Sequence, residues 1–142
     1  MKSPTVNFKG SHYPQEIMIT CVEWYLTSNS SMRQIARKCA ERGLKVHHCT
    51  IRLWVNLLAS VILTAPPKAD PEHFALITQK RKMRRQMRYL HRLASQDHTT
   101  IDFYVTDVED ATHAIAFFMR ENPDFAARPE VAKQWLLSKY ND

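Results

Sequence analysis

Residues 31–43 carry both ends of a helix within thirteen positions, and this stretch limits the fold more than any other. Ser31 and Gln34 stand at capping-box spacing. A serine there satisfies a free N–H of the first turn, and the glutamine reaches back to the serine's own N–H. Gly43 is one of only two glycines in the chain. It falls where the helix must stop, and glycine enters the left-handed backbone that ends a helix without steric penalty. Between these signals Met32, Ile35, Ala36 and Cys39 mark a buried face. Arg33, Arg37, Lys38 and Arg42 lie largely elsewhere on the helix, as a basic face.

A helix on each side completes the unit. The first is expected from about Pro14 to Leu26, because Ile17, Cys21, Trp24 and Tyr25 recur at three- and four-residue spacing. Proline suits its opening turn. The third is expected from about His48 to Ala59, with Ile51, Trp54, Val55 and Leu58 as its apolar stripe and Leu44 and Val46 packing the turn before it. Three short helices with a tight turn before the last read as a helix-turn-helix DNA-binding unit, centred on residues 12–58.

Charge supports a polyanionic partner. The chain carries a formal +6, but the excess is uneven. Residues 1–93 hold 16 Lys/Arg against 5 Asp/Glu, and residues 94–142 hold 4 against 9. A basic half facing nucleic acid and a different C-terminal half follow from that split. The three cysteines, Cys21, Cys39 and Cys49, are odd in number and widely spaced. That pattern argues against a disulfide framework and fits a reducing cytoplasm. No apolar run is long enough for a membrane span, and Met1–Gly10 lacks the apolar core of a signal peptide.

Beyond the helices, residues 60–73 read as a linker, because Pro66, Pro67 and Pro71 discourage regular structure. Lys80–Arg92 places seven Lys/Arg in thirteen positions and is helical by propensity alone. Thr99–Thr106 alternates and is rich in β-branched and aromatic residues, so Ile101–Val105 reads as a strand. Asp110 can cap a helix over Ala111–Glu121, with Ile115 and Phe118 buried. Pro123 stops it, and Pro129 opens a last helix to about Tyr140.

In a helix-turn-helix unit the start of the third helix enters the major groove. The candidate base readers are therefore His48, Cys49, Thr50 and Arg52, with Asn56 one turn on. Arginine can grip guanine bidentately and asparagine can grip adenine. Arg33, Arg37 and Lys45 would hold phosphates, which fix position without reading sequence. The Lys80–Arg92 cluster could track a phosphate backbone or serve as a solvated face. His47, His48 and Cys49 make an incomplete metal-ligand set without a supporting pair at metal spacing; His47 fits better at the helix cap. Asp97, Asp102, Asp107, Glu109 and Asp110 crowd one strand and turn. Two-metal phosphoryl chemistry needs carboxylates converging from separate elements, so these read as turn-forming and helix-capping acids.

Several segments in register resemble the DDE transposases of the insertion-sequence-six family. They are Phe8-Lys9-Gly10-Ser11-His12-Tyr13-Pro14, Trp24-Tyr25, Ala40–Val46, His48-Cys49-Thr50-Ile51 and Trp54-Val55. Arg88–Arg92 and Thr100–Thr106 resemble that family's strands, and Ala114–Phe118 its following helix. The resemblance implies a strand over 87–94 in place of a helix, and an incomplete ribonuclease-H-like α/β region. It also exposes departures. The family's first catalytic aspartate aligns with Ile77, within Phe74-Ala75-Leu76-Ile77-Thr78. The motif bearing the second aspartate is absent after Glu121, and the final glutamate would lie beyond residue 142.

The expected architecture is α+β: a helix-turn-helix domain over 8–59, a linker and basic segment over 60–86, and a partial ribonuclease-H-like region over 87–142. The expected function is binding of insertion-sequence terminal repeats by a truncated transposase-like protein without strand transfer. No catalytic or metal residue is assigned, and no cofactor; Mg²⁺ would be expected only with an intact acidic triad. Expected partners are double-stranded DNA and, as protein, the chain itself or a full-length transposase. No membrane partner is expected, and the place is the cytoplasm, at the nucleoid. Two alternatives carry different chemistry: an active transposase subunit using Asp102 and Asp107, and a helix-turn-helix regulator or inhibitor of a full-length transposase.

Overall fold

The computed structural model describes residues 12–66 and 72–127. The Phe8–Ser11 part of the N-terminal motif, Pro67, Pro71 and the helix expected from Pro129 lie outside these residues. The fold is α+β, with helices packed on a three-stranded antiparallel sheet.

The first three helices are α1 (Gln15–Thr27), α2 (Met32–Glu41) and α3 (His48–Thr64). Both arms of the capping box form: the Gln34 amide donates to Ser31 Oγ at 3.1 Å, and the Ser31 amide donates to Gln34 Oε1 at 2.7 Å. Gly43 sits at φ +81°. A side chain there would be doubly penalised, since a Cβ would stand 2.3 Å from the Val105 carbonyl oxygen. His47 caps α3, its Nδ1 accepting from the Cys49 amide at 3.1 Å. α3 runs past the expected Ala59 to Thr64, so the linker is shorter than its prolines implied. Ser60-Val61-Ile62-Leu63-Thr64 contains no helix breaker, and Ile62 packs against the core. The helix ends only where Ala65 turns extended (ψ 151°), as the residue before a proline must.

The basic segment also proves ordered. β1 (Phe74–Met83) and β2 (Gln86–Ser95) form a hairpin, paired from Phe74 against Ser95 to Met83 against Gln86. The strand implied over 87–94 is thus part of β2, whereas the helical propensity of Lys80–Arg92 is overridden by pairing across the sheet. The hairpin turn is Arg84-Arg85, both left-handed at φ 47° and 72°. Two-residue hairpins of this kind favour Asn-Gly. Each arginine costs about 1 kcal/mol or more by its Cβ alone.

β3 (Thr100–Thr106) pairs with β2, with a register shift at Leu93/Ala94. At the β2–β3 turn the Asp97 carboxylate accepts from the Ser95 hydroxyl and the Thr99 amide; these bonds hold its pKa at about 2. α4 (Thr112–Glu121) follows, with Asp110 Oδ1 accepting from the Thr112 amide at 2.8 Å. Pro123 does not merely stop α4; it opens a single further turn, α5 (Pro123–Ala126).

The sheet separates two apolar layers. Met83, Leu90, Phe103 and Val105 pack with Ile17, Cys21, Ile35, Ile51, Trp54 and Leu58 of the three helices. Leu93, with Phe74 and Leu76 beside it, packs with Ala114, Ile115, Phe118 and Phe125. The tri-helical unit therefore shares one core with the sheet. In the middle strand, buried His91 is held between Thr78 Oγ1 (2.9 Å) and Thr106 Oγ1 (2.8 Å). Among the described residues no helix is long and apolar enough to cross a membrane.

Gly43→Ala should lower the unfolding free energy by at least about 2 kcal/mol, combining the left-handed penalty with the approach to Val105. Urea denaturation followed by far-ultraviolet circular dichroism measures it. An unchanged midpoint would contradict the close packing of this turn on β3.

Candidate nucleic-acid interface

Residues four apart on a helix lie one above another, so His48, Arg52 and Asn56 form a row along α3. Arg52 and Asn56 are exposed and His48 is half-buried. Cys49 is exposed beside the row, its Sγ 3.7 Å from His48 Nε2. Thr50 is rotated about 200° from His48 at about 100° per residue; it is half-buried and falls outside the row. An open groove of about 770 Å³ separates the α1–α2 turn from α3, and Arg33, Gln34, His48 and Arg52 line it.

Three of the candidate residues are thus brought together from two helices. Their proximity registers on His48, whose pKa is lowered by desolvation first and then by the charges of Arg33, His47 and Arg52. Like charges gathered with no carboxylate among the described residues that line the groove make a place suited to an anion. Arg37 and Lys45 are exposed. Lys45 stands in the turn before α3, where its carbonyl accepts from the Tyr13 hydroxyl at 3.2 Å.

Arg42 does not belong to the basic face where its helical position placed it. Its side chain is buried, its Nε donates to Asp102 Oδ1 at 2.6 Å, and its Nη1 donates to the Lys38 carbonyl at 2.9 Å. Its guanidinium lies 4.7 Å from the Trp24 ring centre and 4.8 Å from that of Phe117. Nothing local in the sequence marks this role, since the partner is 60 residues away.

The ligand atoms of His47, His48 and Cys49 lie within 4.8 Å of one another. The His47 ring is nonetheless committed elsewhere. His47 Nδ1 accepts the Cys49 N–H, which leaves the proton of the neutral ring on Nε2. A metal on His47 would therefore have to displace the helix cap.

The acidic residues do not converge either. Asp102 is 3% exposed and accepts from Arg42, from Asn122 Nδ2 at 2.9 Å and from the Phe103 amide at 2.7 Å. Asp107 is exposed and pairs with Arg88 at 2.8 Å. Ile77 lies within β1, opposite Arg92 of β2, and offers a metal ion no donor atom. The residues present thus do not fit the divalent ions that a DDE site requires.

Comparison with known proteins gives a distant likeness. The chain is 25% identical over 116 residues to the transposase for insertion sequence-like element IS431mec of Staphylococcus aureus strain N315. It is 24% identical over 116 residues to the transposase for insertion sequence element IS257 in transposon Tn4003 of the same species. Each match takes in 80% of this chain and 52% of the relative. The chain spans about half the length of the curated relatives it matches. No family model and no solved structure matches it. Over these residues the chain is distantly similar to insertion-sequence transposases.

Asp102→Ala should cost about 3–5 kcal/mol of stability, because it leaves the Arg42 guanidinium buried without its partner. Asp107→Ala should cost less than about 1 kcal/mol, as an exposed pair does. Paired thermal melts check this. Equal melting temperatures for the two variants would refute the buried ion pair.

Proposed function

We propose that this chain is a transposase-like DNA-binding protein that recognises insertion-sequence terminal repeats and does not itself carry out strand transfer. The observation that carries the reading is the row His48, Arg52 and Asn56 on α3, with Arg33 lining the same groove as His48 and Arg52, in a chain similar to transposases. α2 and α3 then act as a helix-turn-helix pair, with α3 in the major groove. Arg52 reads guanine and Asn56 adenine, while His48 and Cys49 contact neighbouring base edges or phosphate. Arg33, Arg37 and Lys45 hold phosphates and set the register.

β2, β3 and α4 follow one another in the order that the resemblance implies for residues 87 onward, which supports reading them as part of a ribonuclease-H-like region. On this reading β1, paired along its length with β2, belongs to the same region. Strand transfer is not ascribed to this chain, because Ile77 stands on β1 where an aspartate would hold metal. The alternative that recruits Asp102 loses its support, since that carboxylate is buried and fully engaged. A protein partner, either a second copy or a full-length transposase, and a place at the nucleoid complete the proposal.

Fluorescence anisotropy at fixed salt, with the terminal repeat against a random duplex, tests this. Specific binding should be at least tenfold tighter, and Arg52→Ala should weaken it by about 1–3 kcal/mol while relaxing one position of the site. Equal affinity for both duplexes would sink the specific-site reading.

A pH dependence follows as well. A phosphate beside His48 favours the imidazolium, so the pKa rises on binding from its lowered free value. Binding then takes up a proton, and affinity should strengthen as pH falls through the ordinary histidine range near 6.5 and on below it, levelling off only under the lowered free value. His48→Ala should flatten that part of the profile. A wild-type affinity that does not change over this range would rule out a phosphate contact by the His48 imidazolium.

A further inference from the structure

We propose that the tip of the β1–β2 hairpin is a second contact on the DNA phosphate backbone, continuous with the turn that precedes α3. It rests on the DNA-binding reading above, but on different residues and a different element.

The tip breaks a local rule. Arg84 and Arg85 both occupy left-handed backbone, where the turn itself favours asparagine and glycine. A strained position held by a long cationic side chain has a cost to folding and no packing return, since both residues are exposed. Departures of this kind concentrate where function overrides local preference.

The charge of the hairpin is also sorted. Arg81 is spent on an ion pair with Glu16, Arg88 pairs with Asp107, and Arg92 donates to Gln79 and Thr100 from a buried site. Lys82, Arg84 and Arg85 are exposed, and among the described residues no carboxylate lies within ion-pair distance of any of them. Arg84 and Lys45 line one depression of about 340 Å³, together with Tyr13 and Arg88. The Arg84 amide donates to the His12 carbonyl at 2.8 Å, which ties the tip to the chain entering α1. The tip therefore stands beside the candidate phosphate-binding Lys45 and carries its positive charge outward from it. A polyanion with regularly spaced charges satisfies such an array, and duplex DNA gripped by α3 supplies one.

The test is the salt dependence of duplex binding in the full chain, with Arg84→Asn/Arg85→Gly as the main variant. That variant relieves the backbone and removes two charges. The melting temperature should rise while affinity for specific and random duplex falls equally, by roughly tenfold or more. The slope of log K against log salt should become shallower by about two. Arg84→Lys/Arg85→Lys keeps the charges and should keep most of the slope. An unchanged slope in the Asn/Gly variant would overturn the hairpin contact. So would loss of the slope in the Lys/Lys variant while it remains folded. If the wild-type chain itself showed no affinity for any duplex, the failure would lie with the DNA-binding reading instead.

Discussion

The fold turns on how residues 42–43 meet β3. The Val105 amide donates to the Arg42 carbonyl at 2.8 Å, so the end of α2 extends the sheet by one main-chain bond. Gly43 lets the backbone approach that closely. The Arg42 side chain then crosses the sheet edge and reaches Asp102, between an aromatic ring from each apolar layer. Two charges buried this way add little net stability against an apolar substitute, but separating them is costly. The contact therefore enforces one arrangement of helices on sheet more than it strengthens the protein.

That arrangement carries the electrostatics. Glu16, Asp102 and Asp107 are each engaged by an arginine from another part of the chain. Few acids remain to neutralise α2, α3 and the hairpin. Arg33, His48 and Arg52 are left crowding one groove, a repulsion that the core absorbs and that a bound anion would relieve. The basic character of the described residues before 94 is thus concentrated on particular surfaces. Of the three acids, Asp102 has both carboxylate oxygens taken up by donors of the chain itself.

What was legible in the sequence was local. Ser31, Gln34 and Gly43 act within a few residues of themselves, so the helix they bound could be read directly. β3 declared itself by alternation. The rest depends on contacts distant in the chain. β1 was hidden because Lys80–Lys82 resembles a solvated helix, and because Arg84-Arg85 lacks the Asn-Gly signal of a hairpin. Arg42 looked like one more surface cation, since its carboxylate comes from a strand 60 residues on. Of the candidate site, the α3 row followed from helical spacing, and Thr50 misses it by that same spacing. That Arg33 lines the same groove as that row required the packing of α2 on α3.

The two edges of the sheet are treated unequally. β3 has its edge partly occupied by the Arg42 turn, whereas β1 pairs with β2 alone, and among the described residues no strand lies on its other side. The main-chain groups of alternate residues that point away from β2 along this ten-residue strand form a template onto which another extended segment can add. Lys80 and Lys82, both exposed, sit on that strand as the usual deterrents to self-association. Replacing them with apolar residues would strip that strand of the charges that keep a second edge from adding to it.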